Sequence, residues 1–350
     1  MNAVIAELLA SPLAEHYRLE ILATFTARGK VRRLVVFAVA VLRLAAWCGL
    51  RRGPIVHVHA TVRGSMLRKA VCVLLARALG RRVVLHVHSG PGDIESFRRD
   101  LGTAGTAYVS RAFAAADVVL AVSSRSARIL REAFGRGEIE VLPNPAPPLL
   151  EPAPGVRAGS PRALFIGGFE NPVKGGSVIL AALARSWPAG LEVVLAGPGT
   201  LPPEGARLLA ASPGLSWQGW LTPNEKRELL ERASIFVLAS TSEGLPVALL
   251  EAMSAGLAIA AADVGGVPDI LTDGRDALFV PPGDADALAD ALARLATDAE
   301  LRGRLGAAAR ERAAGLDRAE IAARIERIYS RLLAGPSSQA PDDGPGTLPR

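Results

Sequence analysis

Two doubly wound α/β domains in tandem are what this sequence predicts, on three observations. Short, near-continuous Val/Ile/Leu runs alternate with longer helical patterns along the chain, the mark of parallel sheets covered on both faces. The alternation halts once, at a proline-rich stretch near the middle, and then restarts. A chain of 350 residues, half of them hydrophobic, divides more naturally into two cores than one.

In order, the expected strands of the first domain are Arg18–Thr24, Ile55–His59, Val83–His88, Val118–Val122 and Ile139–Leu142, with helices such as Gly64–Leu79 and Ser124–Phe134 between them. The segment PNPAPPLLEPAPGVRAGSP, Pro143 to Pro161, holds seven prolines and can continue neither a helix nor a central strand. The second set of strands is Ala163–Ile166, Glu192–Ala196, Leu215–Gly219, Ile235–Leu238 and Leu257–Ala261. The expected boundaries are an N-terminal domain over 1–145, a linker over 146–161 and a C-terminal domain over 162–316. A helix over 317–334 then packs back on the first domain, and a Pro/Ser/Asp/Gly-rich, disordered tail follows over 335–350. A doubly wound domain ordinarily opens with a central strand and a Gly-rich turn. Here Met1 leads into NAVIAELLAS, with Val4, Ile5, Leu8 and Leu9 at helical spacing, so the first strand reads as missing or replaced.

The net charge of +6 is unevenly spread: residues 1–150 carry 21 Lys/Arg against 10 Asp/Glu, and the remainder 19 against 24. A basic first half suits an anionic partner such as a membrane surface or a phosphorylated substrate. Nucleic acid is not expected, because the basic half lacks aromatic interleaving and any binding motif. Cys48 and Cys72 lie in apolar helical stretches and read as reduced core residues. Met1 to Ala10 has no basic n-region or cleavage site, so a cytoplasmic location is expected. Leu34 to Leu50 is apolar but short for a membrane span and carries Arg43 in its middle. It reads first as a helix buried on a sheet, and second as a peripheral helix on the inner face of an anionic membrane.

The chemistry concentrates in STSEGLPVALLEAMSAGLAIAA, Ser240 to Ala261, where Glu243 and Glu251 stand among apolar and small residues. The strand Ile235–Leu238 precedes a turn over Ser240–Gly244, and Pro246 suits the first turn of the helix that follows. Ligands of open α/β sheets bind at this carboxyl end of the strands. The helix start offers free N–H groups and the positive end of a dipole, an anion site. An ionised carboxylate accepts hydrogen bonds at two oxygens and can hold both hydroxyls of a diol. A phosphate flanked by diols describes a nucleotide sugar.

The E-x7-E spacing within SEGLPVALLEAMSAGLAIAAADVGGVPDIL resembles the retaining family-4 (group 1) glycosyltransferases of polysaccharide-biosynthesis type. The resemblance runs from Ile55 to near Leu333 and implies the GT-B fold, two Rossmann-like domains facing a cleft. It implies that Glu243 contacts the transferred sugar, and that Gly244, Leu245 and Pro246 touch donor sugar and phosphate. Glu251 matches the ribose-binding acid. Lys174, in FIGGFENPVKGG, resembles the lysine that neutralises the donor diphosphate, and Gly197 and Gly199 in AGPGT the segment near the base. His88, in VVLHVHSG, matches the histidine that lines the donor sugar, while Ser65, Arg68 and Lys69 are placed on the acceptor side. One departure is visible: Gly167–Gly168 stands where many members carry a Gly-Arg pair, so one phosphate-binding cation is lost or supplied elsewhere.

His57, His59, His86 and His88 alternate on two adjacent strands, but no Cys or acid cluster completes a metal site, and none is expected. The expected activity is metal-independent transfer of a hexose-type sugar, with retention, from a nucleotide sugar to a glycan or lipid-linked acceptor, without a cofactor. The alternative is a catalytically impaired nucleotide-sugar-binding or scaffold protein with a truncated N-terminal domain.

Overall fold

A computed structural model describes residues 2–26, 29–50, 53–135, 137–151 and 160–334. The central part of the expected linker, 152–159, and the expected disordered tail, 335–350, lie outside the described residues. Two parallel sheets organise the chain. The first holds β1 (Ile55–Ala60), β2 (Arg82–Val87), β3 (Val118–Ala121) and β4 (Glu140–Val141) in the order β1-β2-β3-β4. The second comprises β5 (Arg162–Ile166), β6 (Glu192–Ala196), β7 (Leu215–Trp217), β8 (Ile235–Leu238), β9 (Ala258–Ala262) and β10 (Leu278–Val280). Its order is β10-β9-β8-β5-β6-β7, again parallel throughout.

The strands are buried on both faces, as their unbroken apolar runs require: all residues of β3, β8 and β9 are buried. β9 reads AIAAA, and its small side chains let the helix Ala299–Ala314 come close. A Cβ on Gly306 of that helix would lie 2.3 Å from the Gly256 carbonyl oxygen. The helix Arg318–Ala334 crosses back to the first sheet, burying Ile321, Ile325 and Ile328 against Val84, Val118 and Leu120. α1 (Asn2–Leu9) and α2 (Leu13–His16) add Val4, Leu8 and Leu13 to the same cluster.

Two sequence expectations fail here. Arg18–Thr24 forms no strand; it is irregular chain, with Ile21 exposed. Apolar alternation yields a strand only where a ladder partner is available, and among the described residues this segment has none. The apolar run Leu34–Leu50 forms α3 (Lys30–Gly49), but it is not a buried helix. Only the stripe Ala40, Leu44 and Cys48 is buried, while Leu34 (71 % exposed), Val35, Val39 and Leu42 (70 %) face outward. One neighbouring helix, α4 (Gly64–Ala78), lies against it, and a helix packed on one side buries only residues spaced by about a turn. Among the described residues no helix is long and apolar enough to cross a membrane. Cys48 and Cys72 are both buried and unpaired, in line with their reading as core thiols.

The loops after β8 and β9 interlock. Gly265 has φ +54° and no room for a side chain, since a Cβ there would lie 1.8 Å from the Glu243 carbonyl oxygen. The next amide, of Gly266, donates to the Gly244 carbonyl at 2.7 Å. Gly274 shares the left-handed backbone (φ +72°) but faces open space. Gly274→Ala therefore costs only the backbone term of about 1–2 kcal/mol. Gly265→Ala adds a backbone collision and costs clearly more, a ranking that thermal melts of the two variants will read.

Candidate active site

The second sheet reverses its strand order between β8 and β5. In an open parallel sheet that reversal leaves a crevice at the carboxyl ends of the two strands. The loop after β5 carries Lys174 and the loop after β8 carries Glu243, so the two flank the crevice. Their side chains meet: Lys174 Nζ donates to Glu243 Oε1 at 2.8 Å. Ser240 Oγ donates to the same oxygen at 2.8 Å. Glu243 is largely buried (11 % of its side chain exposed) and Lys174 is more open. A carboxylate so placed needs its cation, because an uncompensated buried charge is strongly unfavourable.

Local backbone explains how the two loops come together. Lys174 closes a short 3-10 turn, Pro172–Lys174, capped by the Asn171 side chain, which accepts from the Val173 amide. Gly175 follows at φ +73°, pressed so close to Ala239 that a Cβ would lie 1.9 Å from its carbonyl oxygen. The Thr241 amide donates to the Val173 carbonyl at 2.8 Å, locking the two loops. Gly197 (φ +146°) and Gly199 (φ +96°) flank the same region: Cβ atoms there would strike the Gly167 carbonyl and the Glu170 side chain.

Pro246 is the residue immediately before the helix Val247–Ser254, one position earlier than the sequence suggested. Glu251, on the next turn of that helix, accepts from Lys226 Nζ at 2.5 Å. Burial raises the Glu251 carboxyl above its ordinary pKa; Lys226 pulls the other way and Glu7 of α1 adds to the rise. Lys226 went unnoticed in the sequence, since it lies on another helix, Pro223–Arg232, among several charged residues.

The loops of the first sheet close over this region. A Cβ on Gly90 would lie 2.4 Å from the Glu243 carbonyl carbon, and one on Gly244 would lie 3.1 Å from the His88 carbonyl oxygen. Asn144 is the polar hinge between the halves. Its Nδ2 donates to the Leu245 carbonyl at 2.8 Å, and its Oδ1 lies 3.2 Å from His88 Nδ1. Sequence reasoning missed Asn144, although it is the one polar residue between Pro143 and Pro148. Ser124 adds hydrogen bonds from its amide and hydroxyl to Asp269, each at 2.6 Å, and Arg125 pairs with Asp263.

His88 thus reaches the Glu243 loop through Asn144 and its own backbone. Its Nε2 lies 2.9 Å from His59 Nδ1, and burial holds the imidazole well below its ordinary pKa, so it is neutral. The acceptor-side trio lies toward β1 instead. Ser65 Oγ accepts from the Thr61 amide at 3.3 Å, the Arg68 guanidinium stands 5.0 Å from the Phe25 ring centre, and Lys69 faces His59. None of their hydrogen bonds, ion pairs or ring contacts is with the Lys174–Glu243 pair. Chemically, the region brings together two lysine–glutamate pairs, closely packed glycine-rich backbone and a neutral imidazole.

Comparisons with known proteins agree with this architecture. The family model Glycosyltransferase Family 4 matches residues 4–148, and the model Glycosyl transferases group 1 matches residues 160–298. A phosphatidyl-myo-inositol mannosyltransferase of Mycobacterium leprae is 31 % identical over 229 residues, covering 62 % of this chain and 60 % of that protein. A D-inositol 3-phosphate glycosyltransferase of Nocardia farcinica is 31 % identical over 244 residues, 63 % of this chain and 54 % of that one. The matched stretches thus span less than two thirds of these curated relatives. Among solved structures, HepE of Anabaena in complex with UDP and glucose superposes with a TM-score of 0.70 at 19 % identity, over 87 % of this chain and 85 % of that one. Sucrose-phosphate synthase of Thermosynechococcus elongatus gives 0.70 at 22 % identity, over 89 % and 81 %. With one model matching each sheet's domain and the GT-B architecture shared, the chain belongs to the group 1, family-4 glycosyltransferases.

Proposed function

We propose that this protein transfers a hexose-type sugar, with retention of configuration, from a nucleotide-sugar donor to a glycan or lipid-linked acceptor. The Lys174–Glu243 pair at the sheet's switch point carries the reading. In the free protein the carboxylate holds the ammonium in place. A bound donor presents a diphosphate to Lys174 and sugar hydroxyls to Glu243, so each charge exchanges its partner for a substrate group. As the glycosidic bond breaks, negative charge grows on the leaving diphosphate, and a preplaced cation lowers the barrier without reorganising. The region holds no evident protein nucleophile, so rate comes from positioning and charge stabilisation. His88 lines the sugar, Gly244 to Pro246 offer backbone to sugar and phosphate, Gly197 and Gly199 lie in the segment near the base, and Glu251 takes the ribose diol.

The names of the relatives support this reading: a mannosyltransferase and a glycosyltransferase acting on inositol compounds, and a structural neighbour solved with UDP and glucose. Peripheral attachment to an anionic membrane is supported by α3, whose outward Leu34, Val35, Val39 and Leu42 sit beside Lys30, Arg32 and Arg33. Leu34→Glu combined with Leu42→Glu should abolish co-sedimentation with anionic vesicles and leave binding to the free donor intact. Equal sedimentation of parent and variant refutes the attachment.

A thermal-shift panel of nucleotide sugars identifies the donor, and a transfer assay with it separates an enzyme from a binding protein. Lys174→Met should then lower kcat/KM by about 100-fold or more, the scale of losing one preorganised charge stabiliser. The pH response follows from Glu251. Its raised pKa means the carboxyl takes up a proton at higher pH than an exposed glutamate. Only the ionised form accepts from both ribose hydroxyls, so donor affinity should fall as pH is lowered through that raised value. Glu251→Gln should weaken donor binding by about tenfold, about 1.4 kcal/mol, and flatten the pH dependence. Calorimetry across pH reads both; an unchanged affinity in Glu251→Gln removes the assigned ribose contact.

A further inference from the structure

We propose that His57, His59 and His86 form a binding site for a divalent transition-metal ion, with Zn2+ the best-matched occupant. The register of the parallel strands brings them together: β1 places His57 and His59 on one face, and His59 stands directly across from His86 of β2. One ligand nitrogen from each of the three lies within 4.8 Å of the others. The rings are gathered as a group, with centroids 4.4 Å apart for His57 and His59, 5.3 Å for His59 and His86, and 5.7 Å for His57 and His86.

The hydrogen-bond inventory points to a missing partner. Both ring nitrogens of His86 and Nε2 of His57 are buried and unpartnered. The Leu142 backbone lies near His86 but does not reach hydrogen-bond geometry. A buried imidazole without any partner is disfavoured, since polar groups removed from water are almost always satisfied. A metal ion would engage one such nitrogen on each ring.

The surroundings have the form of an outer coordination shell. Metal-bound histidines commonly direct the second ring nitrogen to a protein partner. Here His57 Nδ1 lies 2.8 Å from Tyr329 Oη and His59 Nδ1 lies 2.9 Å from His88 Nε2, which leaves both Nε2 atoms for an ion. A cavity of about 500 Å3 adjoins His57 and His59 and gives an ion and its water a place to enter. An all-imidazole donor set suits Zn2+ and excludes Mg2+ or Ca2+, which demand oxygen ligands. Lys69 of α4 lies near His59 and opposes a cation, a cost the three nitrogen ligands must outweigh.

The ion would not touch the donor diphosphate; its consequence for the active site is positional. With Nε2 of His59 on the metal, Nδ1–H donates to His88 Nε2. His88 then carries its proton on Nδ1, facing Asn144 Oδ1 at 3.2 Å. This consequence alone rests on the proposed function, whereas the binding site does not.

The test uses the full chain, stripped with a chelator and titrated with Co2+ alone and then Zn2+. About one ion per chain by elemental analysis, with visible Co2+ bands of nitrogen coordination that Zn2+ displaces, is expected. His86→Ala and His57→Ala should each lower Zn2+ affinity by more than 100-fold, beyond the 10–100-fold typical of losing an outer-shell partner. Tyr329→Phe, which preserves the core ring, should lower it by about tenfold. His16→Ala should change nothing, since His16 pairs with Glu326 away from the cluster. Absence of Co2+ bands in the folded parent, or affinity unchanged in both His57→Ala and Tyr329→Phe, overturns the site whatever the fate of His86→Ala.

Discussion

The candidate active site depends on how closely three loops approach one another around the backbone of Glu243 and Gly244. Gly90 abuts it from the first sheet, while Gly265 and Gly266 press on it from the turn after β9. No side chain fits between them, so the loop is held by backbone against backbone, with little freedom to relax. That rigidity is what aims the Glu243 carboxylate at Lys174 and leaves the Leu245 carbonyl facing Asn144. A site built on such contacts makes glycine obligatory at each of them.

Electrostatics follow from that packing. Glu243 and Glu251 are both largely buried, and each is matched by a lysine from another segment. Removing carboxylates from water is costly, and pairing limits the cost while keeping the charges available. Two acids held by two cations can exchange those partners for hydroxyls and phosphate, which suits a ligand carrying both. The structure thus stores buried polarity as internal ion pairs.

The first sheet contributes differently. Its helices and strands form an apolar core, yet four imidazoles line β1, β2 and the loop after them, with His57 Nε2 and both nitrogens of His86 buried without a hydrogen-bond partner. They connect, through His59, His88 and Asn144, to the Leu245 carbonyl in the loop after β8. The path joins a buried polar cluster in one domain to the loop that carries Glu243 in the other.

Much of the fold was readable from the chain alone. The alternation of apolar runs and helices, the proline-rich break and the Glu243–Glu251 spacing are local patterns, and local backbone preference is enough to express them. Where a segment's fate depends on a distant neighbour, the sequence was silent or misleading. Among the described residues, Arg18–Thr24 has the composition of a strand but no ladder partner, and α3 has the composition of a core helix but buries only the stripe that meets α4 and its surroundings. Tertiary structure alone decided that Lys174 meets Glu243, that Lys226 meets Glu251, and that Asn144 spans the two domains. Those partners are separated by 69, 25 and 101 positions, and only chain folding sets such distances.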